Sequence, residues 1–233
     1  MPMTLEALAG HAAPLGFPLL GVAPPDEFPG VPPWTCSVVV LVMPALDRAF
    51  DLELYIEEAG EQRWSKWAYE RLVAGAARLA LLLRREGYKA EPLTYEDSLA
   101  VLDLKVAAVR AGLGVWGLNN LVLTRHYGPR VRFGAVLTDL ALPPSRPRAD
   151  YYCVSCSLCI AACPSGALSP AGFDRAHCIA EFAPDARMAA LQREMLEFPT
   201  PHTRVQCSAC IDACPVGKRF PLRSWALDPR SHL

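Results

Sequence analysis

Cysteine is the residue that most restricts how this chain can fold. Eight of its nine cysteines lie between Cys153 and Cys214, and the ninth, Cys36, stands alone in the first 150 residues. The cluster contains two related stretches. Cys153–Gly166 reads CVSCSLCIAACPSG, with thiols at Cys153, Cys156, Cys159 and Cys163. Arg204–Gly217 reads RVQCSACIDACPVG and supplies Cys207, Cys210 and Cys214, with Arg204 where a first cysteine would stand. An eighth thiol, Cys178, lies between the two copies in DRAHC.

The first stretch follows C-x2-C-x2-C-x3-C-P, an iron–sulfur run in which the fourth cysteine ligates the other of two clusters. Two-residue steps wrap the chain round one cube of iron and sulfide. The longer third step turns the next thiolate away, and Pro164, without an N–H, limits continuation of the local turn. A structural zinc site takes four ligands, usually from paired C-x2-C units, and disulfides are rare where thiols are kept reduced. Two C-P endings and eight cysteines fit both of these alternatives poorly. Two four-iron cubes need eight thiolates, so Cys178 completes the second copy. The exchange rule assigns Cys153, Cys156, Cys159 and Cys214 to one [4Fe–4S] cluster. It assigns Cys163, Cys178, Cys207 and Cys210 to the other. Cys36, inside an apolar run, reads as a small buried hydrophobe.

A chain of 233 residues with 52% hydrophobic and 20% charged residues can bury one or two cores. A net charge of −1 gives no global drive toward nucleic acid, so a tRNA partner is not supported by the charge balance. The N-terminal MPMTLEALAGHAAPLGF has neither a basic start nor a continuous apolar centre, and does not read as a secretory signal. No apolar run approaches the roughly 18–20 residues of a membrane span. These features predict a cytoplasmic protein with no membrane partner.

The proline-rich LPPSRPRAD (Leu142–Asp150) reads as a linker and divides the chain into 1–145 and 146–233. In the first part, residues 4–13 predict a short helix with Thr4 as N-cap. LLGVA and Thr35–Met43 predict strands, the second buried on both faces. Leu52–Glu86 reads as mostly helical, with Leu72, Ala76, Leu79 and Leu83 on one face and Gly87 as its stop. Trp64, Trp67 and Tyr69 then lie on or near that helix. YKAEPLT predicts a strand and Ser98–Ala111 a helix. NLVLT and VRFGAVLTDL predict strands joined by the turn RHYGPR. Alternating helices and strands point to an α/β or α+β layer domain. GLGVWG (Gly112–Gly117) satisfies G-x-G-x-x-G, but a helix precedes it and a strand follows. That is the reverse of a dinucleotide site. Its glycines instead end a helix and allow a close backbone approach.

AAVRAGLGVWGLNNLVLTRHYGPRVRFGAVLTDLALP, followed by the ferredoxin-like cysteines, resembles the epoxyqueuosine reductase and reductive dehalogenase family. The resemblance covers about residues 95–220 well and 35–45 weakly. It implies a nitroreductase-like α/β domain (1–145) that holds cobalamin, followed by a bacterial ferredoxin-like domain (146–233) with two [4Fe–4S] clusters. It further implies a reductase fed by an external electron donor, whether flavodoxin, ferredoxin or a reductase. The substrate is then a small organic molecule or the corrinoid itself. The alternative is a ferredoxin-like electron carrier without corrinoid.

There are departures from the family pattern. The acid of a D-x-x-P motif has no clean match, and YEDSLAVLD offers Asp97 without the proline. The usual Gly-Lys after the aromatic residue is Gly117–Leu118. The chain ends soon after the second cysteine copy, which predicts no C-terminal helical-repeat region and weakens a tRNA substrate. No twin-arginine leader is present.

Carried onto this sequence, the resemblance makes Asp97 and Tyr95 candidate proton donors, against a plain reading as acids and loop at a helix start. Gly112, Gly114 and Gly117 become candidate cofactor-binding positions. Arg125, Arg130, Arg132, Arg146 and Arg148 form a basic stretch. It is either a solvated face or, at Arg130 and Arg132, a site for corrinoid polar groups or an anionic substrate. His126 reads as polar surface or an axial metal ligand, and His177 as surface or a tuner of the adjacent cluster.

Overall fold

The computed structural model describes residues 3–58, 61–93, 100–147 and 152–217. Its centre is a four-stranded antiparallel sheet. In chain order the strands are β1 (Leu19–Ala23), β2 (Ser37–Pro44), β5 (Ala90–Pro92) and β8 (Val131–Thr138), laid side by side as β1-β2-β8-β5. Helices α1 (Leu5–Ala12) and α2 (Trp67–Arg85) cover one face, and α3 (Leu104–Arg110) covers the other. The run Val38–Val42 dictates this sandwich. Successive strand residues point to opposite faces. Val39 and Leu41 therefore join Leu72, Ala76, Leu79 and Leu83 of α2. Val38 and Val40 join Ala107 and Ala108 of α3. All five residues from Val38 to Val42 are fully buried, each worth about 1.5–3 kcal/mol against exposure.

The ends of α1 and α2 are those the sequence predicts. Thr4 accepts from the Ala7 N–H at the start of α1. Gly87, at φ +91°, closes α2, with Tyr88 N donating to Leu83 O at 3.0 Å.

Elsewhere the structure corrects the sequence reading. The helix predicted over Leu52–Glu86 starts only at Trp67. Before it run β3 (Leu52–Glu58) and β4 (Glu61–Lys66), which pair antiparallel with Glu53 opposite Lys66. Leu52, Leu54 and Ile56 alternate with Glu53, Tyr55 and Glu57, a period of two that a strand satisfies and a helix does not. Trp64 accordingly lies on β4. Within Ser98–Ala111, where one helix is predicted, Ala100 is helical, residues 101–103 break the helix, and α3 follows, where the Asp103 carboxylate caps Lys105 N and Val106 N; residues 94–99 lie outside the described set. NLVLT does not pair with VRFGAVLTDL. Its strand β7 (Val122–Leu123) pairs with β6 (Val115–Trp116) in a separate hairpin. Cys36 precedes β2 and is exposed, not a buried hydrophobe.

The described part of the linker, 142–147, is fastened down. Leu142 is buried, and Ser145 exchanges hydrogen bonds with the Val22 backbone at 2.9 and 3.0 Å.

The cysteine-rich part has short elements: α4 (Leu158–Ala161), β9 (Leu168–Ser169), β10 (Gly172–Phe173), α5 (Ala186–Met195), β11 (Thr203–Val205) and α6 (Ala209–Asp212). Its strand β11 adds to β3, giving the order β11-β3-β4, so the two parts of the chain share a sheet.

Candidate functional site

Each cysteine motif is a tight loop leading into a single helical turn. Ser155 and Ser157 take φ +51° and +59° to wrap the first motif round Cys156. Cys159 lies on α4 and Cys163 just beyond it. In the second motif Cys210 lies on α6 between Cys207 and Cys214. Cys178 follows a 3-10 turn capped by Asp174, whose carboxylate accepts from Ala176 N at 2.9 Å.

The thiols line two separate hollows. Cys153, Cys156, Cys159 and Cys214 line a small crevice with Leu118, Val154 and Val216. Cys163, Cys178, Cys207 and Cys210 line one part of a cavity of about 530 Å³. Among the described residues no three Cys, His, Asp or Glu side chains converge as a site for a single ion. A cluster of four irons and four sulfides is wider than an ion, and ligands lining a hollow suit it better. The crevice encloses only about 20 Å³, so a group held there would stand at the surface, where Cys156 is exposed.

Charge follows the same division except at Cys210, which Cys159 of the crevice quartet also raises. Burial raises the Cys159 pKa, and the neighbouring Cys153 and Cys214 add to it. Burial also raises Cys207, with Cys178 and Cys163 as repelling neighbours. Cys210 is pushed up to about 12 by burial and then by Cys207, Cys178 and Cys163. At Cys163 burial acts upward too, but hydrogen bonds from Leu168 N and Ser165 prevail and lower it. Four crowded thiols resist ionising together, and a bound metal centre relieves that resistance by displacing the protons.

The large cavity lies between the sheet and the cysteine loops. Leu72, Val73, Leu93 and Phe133 form apolar wall, and Lys66, Arg132, Gln206 and Lys105 bring polar groups. Beside it is a buried charge network. Arg132 pairs with Asp51 at 2.6 Å, and Arg204 pairs with Glu53 at 2.6 Å. Arg204 is completely buried. It also donates to Gln192 Oε1 and, at 2.8 Å, to the Glu181 carbonyl. Its guanidinium stacks 4.5 Å from the centre of the Trp64 ring. The position that lacks a cysteine is therefore a fastening between β11 and β3. Lys66, opposite Glu53 in the ladder, donates to Gln206 Oε1. Its pKa falls to about 7, mainly through burial and then through Arg132, with Glu53 and Asp51 acting the other way.

The residues singled out in the sequence are scattered over these features. Asp97 and Tyr95 lie outside the described residues. Gly112, at φ +69°, lies against the chain's own backbone: a Cβ there would meet Arg146 O at 2.2 Å. Gly114 lies against Leu123 O and Gly117 against the Asn119 side chain. None of the three lines the large cavity. Arg130 clamps the second motif by donating to the carbonyls of Ile211, Cys214 and Val216 at 3.0–3.2 Å. Arg132 does line the cavity. His126 is exposed, and His177, also exposed, pairs with Asp174 at 2.7 Å. Sequence reading missed Lys66, Glu53, Asp51 and Gln206. The only signal was the period-two pattern through Leu52–Ile56, which places polar side chains on one face of a strand.

No family model matches the chain. The tetrachloroethene reductive dehalogenase of Dehalobacter restrictus is 39% identical over 105 residues, covering 44% of this chain and 18% of that protein. The epoxyqueuosine reductase of Gloeobacter violaceus is 34% identical over 128 residues, covering 54% of this chain and 39% of that protein. An epoxyqueuosine reductase solved with a tRNA-Tyr stem loop superposes with a TM-score of 0.66 at 21% identity, covering 94% of this chain and 67% of that one. A reductive dehalogenase solved in connection with B12-dependent dehalogenation superposes at 0.54 and 22% identity, covering 71% of this chain and 25% of that one.

Fold and sequence together define a mixed α/β reductase-like protein with a cysteine-rich, ferredoxin-like C-terminal segment. In sequence the chain is similar to epoxyqueuosine reductases and reductive dehalogenases, and it shares their fold. It matches 18% and 39% of the length of the two curated relatives just described. Among the described residues no helix is long and apolar enough to cross a membrane.

Proposed function

We propose that this chain is an iron–sulfur reductase that takes electrons one at a time from an external protein donor and delivers them to a corrinoid held in the large cavity. The product is a reduced small organic molecule or the reduced corrinoid. The observation that carries the reading is the four-and-four division of the thiols between a surface crevice and that cavity. It supports one [4Fe–4S] cluster on Cys153, Cys156, Cys159 and Cys214, and another on Cys163, Cys178, Cys207 and Cys210. When bound, the clusters supply one-electron transfer and the corrinoid a strongly reducing metal centre.

In this reading the residues have distinct tasks. Residues 1–145 form the cofactor domain and 146–233 the cluster domain, held together by β11 on β3. Arg130 keeps the Cys214 loop against the sheet. Leu72, Val73 and Phe133 keep water from the cavity. Arg132 offers a cation to polar groups of the bound cofactor or substrate, and Gly112, Gly114 and Gly117 serve cofactor binding only indirectly, by shaping the turn that carries the cavity residue Asn119. Asp97 and Tyr95 are the proposed proton donors. A net charge of −1 favours a small molecule over tRNA as substrate.

The test is anaerobic reconstitution with iron and sulfide, then cobalamin, followed by gel filtration. About eight irons per chain are expected, with the corrinoid co-eluting and its Co(II) form giving a stoichiometric EPR signal. Eight irons without retained corrinoid would leave a plain ferredoxin-like carrier. Fewer than about six would defeat the two-cluster reading.

A further inference from the structure

The buried network beside the cavity does not close on itself. Asp51 is taken by Arg132 and Glu53 by Arg204. Lys66, only 4% exposed, is the third cation and has a neutral amide as its hydrogen-bond partner. Arg132 faces the same cavity, and its Nε is buried with no hydrogen-bond partner. Two acids among the described residues that line the cavity are already engaged. Asp103 caps α3 through Lys105 N and Val106 N, and Glu181 pairs with Arg175 at 2.7 Å. The second oxygen of Glu53 has no hydrogen-bond partner, and among the described residues Glu53 and then Asp51 are the carboxylates that attract Lys66. With Lys66 protonated, the five groups sum to one positive charge, in surroundings where an uncompensated charge is costly.

We propose that Lys66 and Arg132 form an anion-recognition site at the polar end of this cavity. The ligand class is an organic anion with an apolar body: the charged oxygens meet Lys66 and Arg132, and the body lies on Leu72, Leu93 and Phe133. The inference deepens the reading given above, since it concerns the same cavity. Two sources share this chemistry, a carboxylate-bearing substrate and the nucleotide phosphate of a corrinoid.

An arriving anion stabilises the ammonium form of Lys66. Free Lys66 titrates near 7 among Asp51, Glu53, Arg132 and Arg204. Binding above that pH therefore draws in a proton, and binding well below it does not.

The experiment is calorimetry on cluster-loaded protein with cyclohexanecarboxylate and its neutral isostere cyclohexanecarboxamide, in two buffers of different ionisation heat. Wild type should prefer the acid by about tenfold, the scale of one charge-assisted hydrogen bond. It should take up protons at pH 8 and not at pH 6. Lys66→Met should lose both the preference and the uptake. Lys66→Arg should keep the preference without the uptake, because a guanidinium stays charged throughout. Equal affinity of wild type for acid and amide would overturn the proposal, as would an undiminished preference in Lys66→Met with intact cluster absorbance. Saturation with cobalamin separates the sources. Loss of carboxylate binding assigns the site to the corrinoid phosphate, and unchanged binding assigns it to a substrate. If the protein retains no cobalamin, the carboxylate preference stands, and only the corrinoid reading fails.

Discussion

The two thiol quartets come from near-identical motifs but lie in opposite surroundings. Around the crevice quartet the chain is partly bare, with Val154 74% and Leu158 49% exposed, and Arg130 is the cation bonded to the Cys214 carbonyl. The cavity quartet lies beside a buried network of two carboxylates, two arginines and Lys66. A motif therefore fixes the ligands, and the lobe it docks against fixes their environment. An exposed quartet suits exchange with another protein, and a quartet opening on a cavity suits delivery to what the cavity holds. Because the last thiol of each motif lines the other motif's hollow, neither quartet can form without both motifs.

The largest effect that would test this division is loss of one quartet alone. Cys178→Ala should remove the cavity cluster and spare the crevice cluster, leaving about half of the iron and one EPR signal. Equal loss of both signals in folded protein would break the comparison. Next in size is Arg204→Met, which strands Glu53 in the core. Breaking a buried pair on one side costs about 3–5 kcal/mol, read as a shift in anaerobic urea unfolding. The double variant with Glu53→Gln should recover much of that loss, since the orphaned charge is gone. The cavity cluster should also become more sensitive to chelators than the crevice cluster, because β11 leads directly to Cys207.

Much of this division was legible in the sequence, and the reasons are physical. Thiol spacing is a local constraint, so the proposed exchange of Cys163 and Cys214 comes from the motif's spacing and its exchange rule. The strand β2 was equally plain, because a run of β-branched residues has few other uses. What sequence could not supply were contacts distant along the chain. Arg204 read as a vacancy, since its partner Glu53 lies 151 residues away. Lys66 was hidden because Leu52–Lys66 was read with the helical period of the segment after it. The linker looked free because proline and charge dominate its composition, yet Ser145 is held by Val22.

A smaller effect is expected at the crevice. Gly128, at φ +57°, lets the turn after β7 approach Val216, where a Cβ would meet the carbonyl at 2.0 Å. Gly128→Ala combines that clash with a left-handed backbone, a cost of about 1–3 kcal/mol. The strain falls on the Cys214 loop, so the crevice cluster should be lost faster in air while the cavity cluster keeps its rate. Uniform acceleration of both losses would show that the two environments are mechanically one.

The smallest effect is a pH dependence that belongs to the cavity side alone. Lys66 titrates near 7 in the fold, against 10.5 for the unperturbed side chain. Below pH 7 both folded and unfolded chains hold the proton, and the fold bears the full cost of burying it. Between 7 and 10.5 the unfolded chain binds more protons, so raising the pH favours the folded state. Above 10.5 this contribution is constant. Lys66→Met lacks the titration. It should be more thermally stable than wild type at pH 6, with the gap narrowing steadily toward pH 9.5. A substitution beside the crevice, such as Leu158→Ala, should shift stability by the same amount at both pH values. A Lys66→Met gap that ignores pH would mean that Lys66 stays charged across the range, with Glu53 serving as its counterion.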